Sequence, residues 1–256
     1  MRLQGEIALV TGSTAGIGRA IAAVFAREGA AVAVTGRDPE RGAAVVDGIT
    51  AAGGTAAFLP ADLSSEAAAN GLVDAVVERF DGLTVLVNNA VAAGAGADGP
   101  VGQLGTDAWD AILRVNLTAP MWLCRAAIPH MQAAGHGSIV NISSRQGERA
   151  SRGFAAYATS KGALNALTRS IAVDYAADGI RCNTISPGYV LNDRRDADLT
   201  PERRARLEGM HLTRLGEAED VALAAVYFAS TESGFATGVN LALDGGSSAA
   251  RGLVLG

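Results

Sequence analysis

The chain has 256 residues, 49% of them hydrophobic, with 21 basic and 26 acidic side chains and a net charge of −5. That is apolar material for one sizeable core, and a chain of this length built from repeating β/α units reads as one domain over 1–256. No basic stripe suits nucleic acid, no apolar run approaches the roughly 20 residues of a membrane span, and the start MRLQGEIALVTG carries no secretory pattern, so a soluble, cytoplasmic protein is expected.

In chain order, short apolar runs alternate with longer helical patterns. The first run, 7–11, leads into Thr11-Gly12-Ser13-Thr14-Ala15-Gly16-Ile17-Gly18, and a helix follows over 17–28. Gly12 permits a tight turn, Gly16 lets backbone N–H groups approach a pyrophosphate, and Gly18 lets helix and strand pack closely. The loop predicts a dinucleotide site, with Ser13, Thr14 and Ile17 among its contacts.

The second strand, 31–35, ends in Gly36-Arg37-Asp38. An acid at the Gly36 position would hold the adenosine ribose of NAD. Arg37 suits a 2′-phosphate instead, so NADP(H) is favoured over NAD(H). The alternative has Arg37 stacked on adenine or in solvent, with Asp38 serving NAD. After a helix over 39–52 and a strand over 56–59 comes Asp62-Leu63; Asp62 either meets the adenine amino group or opens the turn into the helix over 66–80. The fourth strand, 84–88, ends in Asn88-Asn89-Ala90, which lines the cofactor or closes a polar strand end.

A helix over 106–134 contains Asn116 in apolar surroundings, where an asparagine is unfavourable unless its amide is hydrogen-bonded. The strand over 138–143 leads into Ser144, placed to stabilise charge on a substrate carbonyl oxygen. The helix over 155–177 carries Tyr157 and Lys161, four apart and so on one face. A phenol with a pKa of about 10 is a poor proton carrier until a neighbouring cation favours its anion. Lys161 is the only lysine in the chain; every other strong base is arginine, whose guanidinium does not deprotonate. The pair reads as a proton relay beside a hydride carrier.

A strand over 181–186 opens the stretch 187–216, which lacks clear periodicity and reads as a substrate-side loop or lid. A helix over 218–230 and a strand over 239–243 close the pattern. Runs apolar on both faces, alternating with helices, specify an α/β fold, a single-domain Rossmann-type doubly wound parallel sheet. His130, His136 and His211 show no ligand spacing, Cys124 and Cys182 read as reduced core residues, and no metal is expected.

Taken together, Thr11-Gly12-x-x-x-Gly16-Ile17-Gly18, Asn88-Asn89-Ala90, Asn116, Ser144, Tyr157-x-x-x-Lys161 and Pro187-Gly188 resemble the short-chain dehydrogenase/reductases. The likeness runs to Thr237-Gly238-x-Asn240 and Asp244-Gly245-Gly246, nearly the whole chain. The resemblance implies an oxidoreductase interconverting a secondary alcohol and a ketone with NAD(P)(H). In it Tyr157 is the acid/base, Lys161 lowers the phenol's pKa and holds the nicotinamide ribose, and Ser144 positions the carbonyl. Asn116 holds a water, and Val190 anchors the carboxamide through its backbone. It also implies about seven strands and a homotetramer packed through the two long helices. Two departures stand out: Val91 replaces the glycine after Asn-Asn-Ala, and Asn192 replaces a threonine after Pro-Gly-x-Val-x.

The substrate side is less defined. Ser144, Arg145, Gln146, Arg149 and Tyr189 are candidate contacts for a small-molecule alcohol or ketone. A sugar, polyol or hydroxy acid would suit the arginines, among them Arg152, Arg194, Arg195, Arg203, Arg204 and Arg206, unless these are simply solvated. Reduction of a 3-oxoacyl group on acyl carrier protein is an alternative, disfavoured by the acidic Asp174 to Asp178 end of the long helix. A non-catalytic dinucleotide sensor is another.

Overall fold

The computed structural model describes residues 1–92, 98–192 and 195–249; Asp193 and Arg194 lie outside them. Seven strands, β1 (Ile7–Val10), β2 (Ala31–Val34), β3 (Thr55–Phe58), β4 (Val85–Asn88), β5 (Gly137–Ile142), β6 (Ile180–Pro187) and β7 (Asn240–Leu243), form one parallel sheet. Their order is β3-β2-β1-β4-β5-β6-β7. The order reverses between β1 and β4, which opens a crevice at the carboxyl ends of the strands.

Helices cover both faces: α1 (Gly16–Arg27), α2 (Pro39–Ala51), α3 (Glu66–Phe80), α4 (Thr106–Leu113), α5 (Ala119–Ala134), α6 (Ala155–Tyr175), α7 (Pro201–Glu208) and α8 (Ala218–Ala229). Strand alternation sorts the side chains. Ala8 and Val10 of β1 pack with Ile21 and Phe25 of α1 and with Val226 and Phe228 of α8. Leu9, between them, packs with Leu72 and Val76 of α3 and Leu123 and Met131 of α5. A strand buried on both faces needs apolar residues at every position, hence the unbroken runs in the sequence.

Two elements differ from the sequence expectation. The helix expected over 106–134 widens into a π segment at Arg114–Thr118, between α4 and α5. Pro120 supplies the physical reason: it has no N–H to return to the Asn116 carbonyl, so regular α-helical bonding fails there. Within 187–216 lies α7, capped by the Thr200 hydroxyl, which accepts from Arg203 N–H at 3.3 Å. None of its residues is buried. Without an apolar face, its sequence carried no period to detect.

Candidate active site

The glycine loop between β1 and α1 is braced from below. Thr11 Oγ1 accepts from the N–H groups of Asn89 and Ala90, each at 2.9 Å, and Asn89 Nδ2 donates to the Thr11 carbonyl at 2.8 Å. The Ser13 hydroxyl donates to Val10 O at 2.6 Å and accepts from Thr35 N–H at 2.9 Å. The Ser13 hydroxyl and the Asn89 amide nitrogen therefore brace the loop from within. Gly12 and Gly16 have φ of +63° and +51°, a region L side chains rarely adopt. A Cβ on Gly18 would stand 2.4 Å from the Gly12 carbonyl oxygen, so only glycine lets α1 come this close.

The N-cap of α1, Ala15, offers no side-chain hydrogen bond, and the first turn holds no acid. Its N–H groups are left to an anion, and the helix dipole favours one there. The loop thus fits a dinucleotide pyrophosphate. The loop after β6 reaches over it: Asn192 Nδ2 lies 2.6 Å from where a Gly16 Cβ would stand. Asn192 therefore stands against the glycine loop.

At the end of β2, Arg37 is exposed. Asp38 beside it is engaged: its carboxylate caps α2 by accepting from Arg41 N–H at 3.2 Å and pairs with the Arg41 guanidinium at 2.9 Å. Asp62 opens a turn, one oxygen accepting from Ser64 N–H at 3.1 Å, and Leu63 is buried.

Ser144 lies two residues past the end of β5, and its hydroxyl accepts from Gln146 N–H at 3.1 Å. Tyr157 stands in the first turn of α6, with Lys161 one turn on. Lys161 is 3% exposed; its Nζ donates to the Ile142 carbonyl at 2.8 Å and lies 5.7 Å from the Tyr157 ring centroid. Burial pulls its pKa down to about 8. The Tyr157 phenol is held above its ordinary value by burial, opposed by the Ser144 hydroxyl and by the charge of Arg195. Desolvation thus outweighs the two groups that favour the phenolate, the Ser144 hydroxyl and the Arg195 charge.

Asn116 lies in the π segment. Its Oδ1 accepts from Ala92 N–H at 2.7 Å, while Nδ2 donates to Ser160 Oγ at 3.2 Å. The amide so ties the chain after β4 to α6, one residue before Lys161. Val91, just after the end of β4, is half exposed.

At the end of β6, a Cβ on Gly188 would meet the Asp244 Cα and His211 Nε2, each at 2.8 Å. His211 is buried and joins α7 to this loop: Nε2 accepts from Tyr189 N–H at 3.1 Å, which leaves Nδ1 to donate to Leu207 O at 2.9 Å. In the sequence His211 shows only the absence of ligand spacing, because its partners are backbone groups that leave no pattern. Arg195 lies over the Tyr189 ring, 4.4 Å from its centroid, pairs with Asp196 at 2.9 Å and donates to the Val190 carbonyl at 2.6 Å. The Tyr189 hydroxyl also donates to Asp196, at 2.5 Å. Both the Val190 carbonyl and the Tyr189 hydroxyl are thus engaged within the loop.

The remaining arginines are dispersed. Arg145 donates to Ser247 Oγ at 3.0 Å, Arg204 pairs with Glu208 at 2.8 Å, and Arg149, Arg152, Arg203 and Arg206 are exposed.

Residues 12–248 match the family described as enoyl-(acyl carrier protein) reductase. The chain is 38% identical to a 3beta-hydroxysteroid dehydrogenase of Mediterraneibacter gnavus, covering 96% of this chain and 95% of that protein. It is also 38% identical to an NADP-dependent (R)-specific alcohol dehydrogenase of Lentilactobacillus kefiri, covering 97% and 98%. A crystal structure from Sinorhizobium meliloti 1021, assigned only provisionally as a short-chain alcohol dehydrogenase, superposes with a TM-score of 0.91 at 33% identity, over 97% of this chain and 98% of that one.

Proposed function

We propose, from the premise that this chain belongs to the short-chain dehydrogenase/reductase family, that it interconverts a neutral secondary alcohol and its ketone with NADP(H), using Tyr157 as the proton carrier. It is an oxidoreductase acting on CH–OH groups, as its relatives' names describe. The observation that carries the residue assignment is the meeting of Ser144, Tyr157 and Lys161 at the carboxyl end of β5, across the crevice from the glycine loop.

A bound nicotinamide would accept hydride in oxidation and return it in reduction. The chain's own residues handle the proton. Ser144 holds the substrate oxygen within reach of the phenol, and its hydroxyl stabilises developing negative charge. Tyr157 takes the hydroxyl proton in oxidation and gives it back in reduction. Lys161, with a pKa of about 8, can exchange a proton near neutrality and supplies a cation beside the phenol. Gly12, Thr14, Gly16, Ile17 and Gly18 would hold the pyrophosphate, Ala90, Pro187, Gly188 and Val190 would line the nicotinamide, and Asp62 and Leu63 would face the adenine.

NADP(H) is supported by the pairing pattern at β2. Asp38 is committed to α2 and Arg41, while Arg37 has no side-chain partner among the described residues. A neutral substrate is supported at Arg195, whose guanidinium is already paired with Asp196; Arg145 donates to the neutral Ser247 hydroxyl. This reading moves away from a hydroxy acid. A homotetramer belongs to the same proposal, supported by the exposed apolar residues Val173 on α6, Tyr227 on α8, Phe235 and Val239.

The test is turnover of a panel of cyclic and acyclic secondary alcohols and ketones, with both dinucleotides, by wild type and Tyr157→Phe. Turnover by wild type, abolished in Tyr157→Phe, is expected. Dinucleotide binding without turnover of any substrate would favour the sensor reading.

A further inference from the structure

The helix carrying Tyr157 starts without a cap of its own. Phe154, at its N-cap position, makes no side-chain hydrogen bond, and the first turn contains no acid. The cap comes from elsewhere in the chain. Asp98 Oδ2 accepts from Tyr157 N–H at 2.8 Å and Oδ1 accepts from Ala156 N–H at 3.1 Å, across separations of 59 and 58 residues. These are the second and third N–H groups of α6, the donors a capping side chain ordinarily serves. Oδ1 also accepts from Gly99 N–H at 2.8 Å, which fixes the carboxylate's own orientation.

We infer that Asp98 is a positioning residue for Tyr157: its carboxylate, delivered from the chain between β4 and α4, caps the first turn of α6 and thereby sets the place and charge environment of the phenol. The inference rests on the proposed role of Tyr157 in proton transfer. Two physical effects combine. An uncapped helix frays at its first turn, and Tyr157 lies within that turn, so its hydroxyl would lose its fixed relation to Ser144. The carboxylate also offsets the positive end of the helix dipole, which by itself would favour the phenolate. Among the described residues, the other charged groups facing the phenol are Lys161, from α6, and Arg195, from the loop after β6, itself paired with Asp196. Asp98 adds the opposing negative charge.

The two effects separate by substitution. Asp98→Asn keeps the shape, removes the charge and retains one of the two acceptor oxygens, whereas Asp98→Ala removes the charge and both acceptors. The experiment measures kcat and KM for alcohol oxidation against pH in wild type, both variants and Tyr157→Phe. Dinucleotide Kd is read by fluorescence, and amide exchange of 155–160 by mass spectrometry. The expected result is a Kd within about twofold of wild type throughout, since the glycine loop is untouched. Asp98→Ala should lose about tenfold or more in kcat with little change in KM, with faster exchange in the first turn. In both Asp98 variants the ionisation limb of kcat should move to lower pH, a shift that a purely structural cap would not give. If Asp98→Ala and Asp98→Asn keep the wild-type kcat and limb while Tyr157→Phe is inactive, this inference fails alone. If Tyr157→Phe turns over like wild type, the proposed function falls and the inference with it. Should Asp98→Ala not fold, the limb of Asp98→Asn decides.

Discussion

Lys161 Nζ donates to the carbonyl oxygen of Ile142 at 2.8 Å, which moors the chain's only lysine to the strand that ends beside Ser144. The mooring holds a buried cation next to the Tyr157 ring, with no carboxylate paired to it among the described residues. Lys161→Met and Lys161→Arg should each lower kcat/KM by about a hundredfold or more. The arginine variant fails because its larger, permanently charged group does not fit a site that is 3% exposed. Steady-state kinetics at neutral pH checks this; near-wild-type turnover of Lys161→Arg would remove the lysine-specific argument.

The same residue makes a stability prediction with a definite sign. Its folded pKa of about 8 lies below the ordinary 10.5, so the unfolded chain binds its proton more tightly. Its favourable contribution is present above about 10.5 and is lost as pH falls through about 8. Lys161→Met should therefore gain stability relative to wild type at pH 7 and lose that advantage at pH 10.5. Denaturant unfolding of both proteins at the two pH values measures the difference.

Arg37→Ala should weaken NADP(H) binding by about tenfold or more while changing NAD(H) binding little, because the guanidinium serves only a 2′-phosphate. Isothermal titration with each dinucleotide decides it. Equal losses for both would mean that Arg37 stacks on adenine instead.

Asp196 knits Arg195, Tyr189 and the Asn192 backbone into one cluster, and the hydrogen bonds it accepts hold its carboxyl at about 2, below the ordinary 3.8, against the cost of burial. A depressed carboxylate contributes stability above 3.8 that is lost as pH falls through about 2. Asp196→Asn should expose residues 189–196 to faster amide exchange at pH 7 and raise KM for the alcohol. The stability gap between this variant and wild type should narrow below about pH 4. A gap that stays constant from pH 7 to pH 3 would contradict the assignment.

Glycines in helices separate by what surrounds them. Gly71 in α3 is exposed and has nothing within 4 Å of its missing Cβ, so Gly71→Ala should stabilise the fold by about 0.5–1 kcal/mol. Gly42 in α2 lies against the Phe58 ring, where a Cβ would stand 2.2 Å from Cδ2. Gly42→Ala should destabilise by about 1–3 kcal/mol. Thermal unfolding of the two variants should move in opposite directions.

The sequence by itself determined the sheet, because strands buried on both faces must be apolar throughout and glycine must stand where α1 meets β1. It also placed Tyr157 and Lys161 on one helix face, since a spacing of four needs no tertiary knowledge. Only the tertiary structure decided which polar groups are already engaged: Ser13 beneath the glycine loop, Asp38 on α2, Tyr189 and Arg195 on Asp196, His211 between two backbone groups. It alone joined Asp98 to Tyr157 across 59 residues. Local periodicity encodes which face a residue takes, but a hydrogen bond between distant segments leaves no period, and burial shifts a pKa only once the packing that removes water exists.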